Sequence, residues 1–293
     1  MKISVVICTH NRADSLRRAL ASLEKQTLPR DQFEVLVVDN ASTDYTKAVA
    51  QSFSHLSLTY LYESQLGLSR ARNTGWQKAQ ANYIAFIDDD AVASPQWLAA
   101  LLDTFTLHTD KEMAVGGRVE LASTVTIPDW VDDSLRVSLG SLNLSASTTD
   151  LQHSPYYLHG CNMAFSRALL MKYDGFYSSL GRRGSKLLSG EEILLQQQLK
   201  SDGYPIFYTD QAAVTHHVDI SRLSRNWFVK RMYWEGVTTR RIECITKTNQ
   251  STTSEIVGLL RQVCSFGFIF RARFADVCRA MWRVGRIVES FRN

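Results

Sequence analysis

Tyr83-Ile84-Ala85-Phe86-Ile87-Asp88-Asp89-Asp90 sets a five-residue apolar run against three consecutive carboxylates. β-Branched and aromatic side chains in such a run predict a buried strand. The carboxylates then fall at the strand's carboxyl end, where open α/β sheets hold their ligands. Three adjacent carboxylates repel one another unless positive charge sits among them. A divalent cation shared with a substrate phosphate supplies it, because hard cations take both carboxylate and phosphate oxygen. The alternative is an acidic turn before the next helix, with Ser94-Pro95 as its cap and first turn.

Outward from this stretch, strand and helix signals alternate. Towards the amino terminus, strands are predicted over Ile3–Thr9, Phe33–Val38 and Leu58–Tyr62. Helical spacing covers Ala13–Gln26, Thr43–Phe53 and Leu68–Ala81. Beyond the carboxylates come a helix over Pro95–Thr106, a strand over Met113–Leu121 and a Ser/Thr-rich excursion over 122–155. A strand over Asn162–Ser166, a helix over Arg167–Tyr173 and a Gly- and Arg-rich segment over Tyr177–Ser189 follow. Then come a helix over Glu191–Ser201, a strand over Ile206–Thr209 and a strand-like run from Ala212 to His217; helical spacing dominates after Ser224. Alternation of this kind predicts an α/β fold on a mostly parallel, Rossmann-like sheet with right-handed crossovers.

The 293 residues are 45% apolar and 21% charged, an ordinary globular balance. The five cysteines have no CxxC spacing, which argues for reduced thiols and against a metal–thiolate site. The run Ile3–Cys8 is too short for a signal peptide, and no stretch reaches the roughly 18 apolar residues that span a bilayer. A cytoplasmic protein is the expectation. The net charge of +4 is unevenly spread: Ser221–Asn293 holds 14 Lys+Arg against 5 Asp+Glu. A basic tail on a mildly acidic body points to an anionic surface as partner.

Polar residues also close the first two strands, as Thr9-His10-Asn11-Arg12 and as Asp39-Asn40-Ala41-Ser42-Thr43-Asp44. They offer hydrogen-bonding groups for a base and ribose, and Arg12 for phosphate. Ser42 or Thr43 could instead cap the following helix. The first βα turn has no GxGxxG, which weighs against a dinucleotide coenzyme. Arg70 and Arg72 lie near a predicted helix amino terminus, a position already favourable to anions.

In order and spacing these pieces resemble the family-2 glycosyltransferases, whose fold is called GT-A, from Ile3 to about His217. The resemblance implies that Thr9 and Asp39 contact the nucleotide base, with Asn11, Arg12, Asn40 and Arg72 nearby. It implies that Asp88 faces the ribose and also joins the metal site, where Asp90, with Asp89 as alternative, is the principal ligand of Mn²⁺ or Mg²⁺ on the diphosphate. His159-Gly160-Cys161-Asn162 is similar to the family segment that approaches the sugar donor, which brings in Gly160 and Asn162. Asp174-Gly175-Phe176 resembles its following Gly-Phe turn. Gly181-Arg182-Arg183-Gly184 followed by Leu188-Ser189-Gly190-Glu191-Glu192 resembles a subgroup linked to exopolysaccharide assembly. By position Glu192 would be the general base, with Glu191 as alternative, in a place where the family usually has Glu-Asp. His216 would complete the metal site or touch the diphosphate.

The resemblance implies an inverting, metal-dependent enzyme. It would move a sugar from a nucleotide diphosphate donor, a UDP-sugar favoured, to a glycan or lipid-linked glycan acceptor in cell-surface polysaccharide synthesis. The catalytic domain is expected over 1–220, with a donor half at 1–120 and an acceptor half at 121–220. Residues 221–293 are expected to form a basic helical tail. Trp227, Phe228, Tyr233 and Trp234 stand among basic residues there. A last helix over Ile256–Phe291 mixes Phe266, Phe268, Ile269, Phe270 and Trp282 with Arg271, Arg273, Arg279, Arg283 and Arg286. Basic amphipathic helices lie on anionic membranes, so peripheral attachment to the inner face of the cell membrane is one expectation. The other is packing on the catalytic domain with an arginine face in solvent. No recognition motif accompanies the charge, so nucleic acid is not expected. The rival readings are a sugar nucleotidyltransferase, disfavoured because Thr9–Arg12 carries no glycine, and a non-catalytic GT-A scaffold at the membrane.

Overall fold

A computed structural model describes residues 1–108, 111–124, 126–144, 147–248, 251–268 and 274–292, the side chains of 263–268 excepted. The chain forms two compact units. The first comprises Met1–Ser123, Gly140–Ser179 and Glu191–Val218; the second comprises Thr124–Leu139, Leu180–Gly190 and Asp219–Asn293. Besides the tail, the second unit therefore takes two segments from within 121–220.

The first unit is a nine-stranded mixed sheet flanked by helices, the GT-A arrangement. Its elements are β1 (Ile3–Thr9), α1 (Ala13–Leu23), β2 (Phe33–Asp39), α2 (Thr46–Ser52), β3 (Leu58–Tyr62), α3 (Leu68–Lys78) and β4 (Tyr83–Phe86). They continue with β5 (Ala91–Ala93), α4 (Trp97–Leu107) and β6 (Ala114–Leu121). After α5 (Asp133–Arg136), which lies in the second unit, come β7 (Thr148–Asp150), β8 (Met163–Ser166), α6 (Arg167–Lys172), α7 (Glu191–Ser201) and β9 (Ile206–His216). The strand order is β3-β2-β1-β4-β8-β6-β9-β5, with β7 also on β9. β1, β2, β3 and β4 run parallel, as the alternation predicts. β1 and β2 are buried along nearly their whole length because helices cover both faces, which explains their unbroken apolar runs.

Antiparallel pairing enters with β8, which lies between β4 and β6. The two short runs expected at 206–209 and 212–217 are one eleven-residue strand, β9. Its register against β6 slips between Gly117 and Val119. A Cβ on Gly117 would sit 2.1 Å from the Ala212 carbonyl oxygen and 2.5 Å from that of Thr209, so this bulge requires glycine. β5, β7 and α5, three or four residues each, are too short to show a period in sequence. The Ser94 cap expected for α4 is not made: no side chain caps this helix, and the buried Ser94 hydroxyl has no hydrogen-bond partner. Nor do Ser42 or Thr43 cap α2. Asp44 does so, its Oδ1 accepting from the Thr46 amide (3.0 Å) while Oδ2 accepts from Ala13 at the start of α1 (3.1 Å).

The second unit holds α8 (Arg225–Thr246), α9 (Thr252–Phe268) and α10 (Phe274–Ser290). A single helix over Ile256–Phe291 is not what forms; Ile269, Phe270, Arg271, Arg273 and the Phe266 and Phe268 side chains lie outside the described residues. α8 and α10 cross at Gly236 and Gly285, where a Cβ would come within about 2 Å of the opposing backbone. Along the crossing the tail's arginines meet glutamates rather than solvent. Arg286, 2% exposed, makes two bonds to Glu243 (2.6 and 3.1 Å), and its Nε lies 3.2 Å from Glu255. Arg283 reaches Glu255 (2.9 Å) and Arg241 reaches Glu289 (2.7 Å). Trp130 packs edge-on against Phe228 and Phe274, and Arg225 lies over the Trp130 and Phe274 rings. α9 exposes Ile256, Val257 and Leu260. Among the described residues no helix is long and apolar enough to cross a membrane.

Candidate active site

Strand pairing gathers the site. β1 and β2 end in register, Thr9 opposite Asp39, and β4 lies along the other side of β1. β8 runs antiparallel to β4 with Met163 opposite Phe86, so the residues before Met163 lie beside those that follow Phe86. β9 runs antiparallel to β5 with His216 opposite Ala91, and the His217 amide donates to the Asp90 carbonyl (2.8 Å). One end of the sheet thus receives Thr9, Asp39, Asp88, Asp89, Asp90, Gly160 and His216, from five strands remote in sequence.

Asp89 and Asp90 are buried there, 5% and 7% exposed. Arg12 lies between them, its NH1 donating to Asp89 Oδ1 (3.0 Å) and Asp90 Oδ2 (2.7 Å). Thr9 Oγ1 donates to the other Asp89 oxygen (2.8 Å), and His216 Nε2 is 3.2 Å from Asp90 Oδ1. Burial, and next the charge of Asp90, push the Asp89 carboxyl up to about 7 against the pull of Arg12 and Thr9. The unfolded chain ionises such a group near pH 4 and the folded chain only near 7. This residue therefore makes the fold progressively less stable as pH rises through that window. In chelator, the melting temperature of Asp89→Asn relative to wild type should rise between about pH 5 and pH 8. A difference that stays constant with pH would show that Asp89 does not titrate there.

The second pair of carboxylates is held by Arg72, on α3. Expected beside the nucleotide, it is instead 2% exposed and engaged within the protein. NH1 donates to Glu191 Oε1 (2.6 Å), and NH2 donates to Asp88 Oδ1 (3.1 Å) and the Gly160 carbonyl (3.2 Å). Its guanidinium lies 5.5 Å from the centre of the Phe176 ring. Burial opposes its charge, but Asp88, Glu191 and Glu192 outweigh burial and raise its pKa. Gly160 makes the approach possible, since a Cβ there would stand 2.5 Å from Arg72 NH2. Glu191 is 3% exposed, and its second oxygen is buried without a hydrogen-bond partner. Glu192, half-buried, is the next residue of the same helix amino terminus.

Other expected residues hold the loops and core. Asp39 accepts from the Ser42 amide (2.8 Å) and from Tyr60 Oη (2.7 Å). Asn40 clamps the segment before α3: its Nδ2 donates to the Glu63 and Gln65 carbonyls, and its Oδ1 accepts from the Gly67 amide. Asn11, at positive φ, accepts from the Thr43 amide (2.7 Å). Asn162 was expected beside the sugar donor. It is fully buried, takes a bond from Trp97 Nε1 (2.8 Å) and donates to the Arg118 and Ala212 carbonyls (3.0 and 2.7 Å). Its side chain is a brace between α4, β8 and the β6–β9 bulge. Arg70 is exposed. Tyr60 was not anticipated; Asp44 was named only among the polar residues that close the second strand, and an Asp two residues before a helix start was the available signal for its place at α2.

Four carboxylates, Asp88, Asp89, Asp90 and Glu191, share this end of the sheet with only two guanidiniums, those of Arg12 and Arg72. A divalent cation would offset that excess of carboxylate. Carboxylate oxygen with one imidazole suits Mn²⁺ or Mg²⁺ rather than a thiophilic metal. Among the described residues no three His, Cys, Asp or Glu side chains converge as a complete ligand set. A cation could take Asp90 and His216 from the protein and its remaining ligands from a diphosphate and water.

The family model described as Glycosyl transferase family 2 matches residues 4–174. The chain is 26% identical over 259 residues to the glucosyl-dolichyl phosphate glucuronosyltransferase of Haloferax volcanii, covering 84% of this chain and 78% of that one. It is 27% identical over 249 residues to the succinoglycan biosynthesis protein ExoM of Rhizobium meliloti, covering 83% and 75%. Among solved structures it resembles the mannosyltransferase PcManGT of Pyrobaculum calidifontis in complex with GDP-Man and Mn²⁺. That likeness has a TM-score of 0.66 at 18% identity, over 99% of this chain and 87% of that one. The match to AglE of Haloferax volcanii is partial, covering 40% of this chain and 39% of that one, and a solved TarS chain of Staphylococcus aureus is longer, covered to 44% by 83% of this chain.

Proposed function

The chain belongs to glycosyl transferase family 2, and on that footing we propose that it transfers a sugar, with inversion, from a nucleotide diphosphate sugar to a glycan or lipid-linked glycan. The observation that carries this reading is the pairing of four carboxylates on two arginines at the carboxyl end of the sheet. Such an end can hold a nucleotide diphosphate and present a proton acceptor to an attacking hydroxyl. A UDP-linked sugar is the favoured donor.

In this reading Thr9 and Asp39 line the base end, and Asp88 faces the ribose. Asp90 and His216 hold Mn²⁺ or Mg²⁺, which when bound offsets the charge that gathers on the departing diphosphate. Arg72 keeps Asp88 and Glu191 in register with one another. Glu192 takes the proton of the acceptor hydroxyl as that oxygen attacks the anomeric carbon. Asn40 and Asn11 fix the loops around the base, and Gly160 gives Arg72 its room.

Calorimetry with UDP, GDP, dTDP and CMP, in Mn²⁺ and in chelator, tests the reading. One diphosphate should bind tightly in Mn²⁺ and lose more than about tenfold in affinity (1.4 kcal/mol) on chelation and in Asp90→Ala. Binding by none of the four would favour the scaffold. Release of pyrophosphate during turnover would identify a nucleotidyltransferase.

A lipid-linked acceptor would bring the protein to an anionic membrane surface. The exposed Ile256, Val257 and Leu260 of α9 support that contact more than the arginines of α10 do, since several of those are paired. Flotation with phosphatidylglycerol-containing vesicles should fall several-fold in Leu260→Asp; equal flotation of wild type and variant would remove α9 from the contact.

A further inference from the structure

Arg12 occupies a position that a metal on Asp90 would contest. Its NH1 is 2.7 Å from Asp90 Oδ2 and 3.0 Å from Asp89 Oδ1. A Mn²⁺ or Mg²⁺ on Asp90 Oδ2 would come to roughly 2.0–2.2 Å of that oxygen, closer than the guanidinium already is. One on Oδ1, the oxygen that faces His216 (3.2 Å), would confront the guanidinium's charge across a single carboxylate. Of the three side chains, Arg12 is the one that can leave. It is 38% exposed against 6% and 8% for Asp89 and Asp90. Its backbone is the N-cap residue of α1, but its side chain makes no capping bond, so the helix does not depend on where the guanidinium points.

The protein's own ligand set is also incomplete among the described residues. A bare divalent cation therefore meets too few protein ligands and a resident competitor. A cation arriving on a diphosphate brings oxygens of its own, and those oxygens offer a guanidinium a bidentate partner.

We propose that Arg12 is a built-in counter-cation: it keeps a lone divalent cation off Asp90 and moves onto the donor's diphosphate when cation and diphosphate arrive together. This rests on the donor reading above and deepens it, making Arg12 a positioning residue that couples metal entry to donor entry.

Electron paramagnetic resonance of free Mn²⁺ measures the first half without turnover. Wild type, Arg12→Ala and Arg12→Gln are titrated with Mn²⁺ alone, then with Mn²⁺ in the presence of UDP or GDP, and folding is checked by melting temperature. Both neutral variants should bind Mn²⁺ alone at least tenfold more tightly than wild type, yet bind the Mn²⁺–nucleotide at least tenfold more weakly. A merely structural role would not move the two affinities in opposite directions. Unchanged or weaker binding of Mn²⁺ alone overturns the counter-cation, as does unimpaired nucleotide binding in the variants. Wild type that binds neither nucleotide overturns the donor reading instead, and in that case a tighter Mn²⁺ site in Arg12→Ala still upholds the competition at Asp90.

Discussion

Glu192→Gln should lower sugar transfer by roughly 10²–10⁴-fold while leaving nucleotide affinity near that of wild type. Glutamine keeps the size of the side chain and its hydrogen bonding but cannot take a proton. The effect belongs in kcat, because the proton moves only as the acceptor oxygen attacks. Glu191→Gln makes the comparison. Its Oε1 is 2.6 Å from Arg72 NH1 in a buried pair, so its loss should disturb melting temperature and donor affinity together with transfer. If Glu191→Gln alone abolished transfer in a fold of wild-type stability, the base would be Glu191. Its buried and unpartnered Oε2 would then be the atom that takes the proton.

Arg72→Met should be the most destabilising single change in the donor half. Methionine fills the stem's volume, but Asp88 and Glu191 lose their shared cation, and Glu191 is 3% exposed. Breaking a buried pair by removing one partner costs on the order of 3–5 kcal/mol. The Gly160 carbonyl loses a donor as well. Denaturant unfolding should show the loss, and Arg72→Lys should recover only part of it, since an ammonium cannot span Asp88, Glu191 and Gly160 with one planar fork. A change below about 1 kcal/mol in Arg72→Met would mean that the two carboxylates are compensated from elsewhere. The double variant Arg72→Met/Glu191→Leu should then be no more stable than the single one.

The sequence made β1, β2 and β4 readable because their side chains face the core on both sides of the sheet, leaving unbroken apolar runs such as Val35–Val38. It also exposed the polar residues at the strand ends, since a run of apolar side chains closed by Asp or Asn stands out. What it withheld were the partners. Arg72 and Glu191 are 119 residues apart, and no local period reports that they touch. Arg72 reads as an anion binder at a helix amino terminus because the neighbours that bury it, Gly160 and Phe176, come from a distant turn. The partners of Asn162, Trp97 and two remote carbonyls, are hidden from the sequence for the same reason. The arginines of α10 read as a solvent face, and only packing on α8 and α9 sets Arg283 and Arg286 against Glu243 and Glu255.

β9 carries a consequence for how the protein comes into being. Its eleven residues pair with β6 on one edge and with β5 and β7 on the other, segments that precede it by some 60 to 120 residues. Contacts of such separation close late, because loop-closure entropy opposes them until other structure is in place. The parallel strands β1 to β4 join through short crossovers and can assemble early. During synthesis, Arg12, Asp89 and Asp90 would thus stand together before His216 has left the ribosome. A guanidinium between those carboxylates gives the nascent chain a charge partner at a stage when His216 does not yet stand beside Asp90.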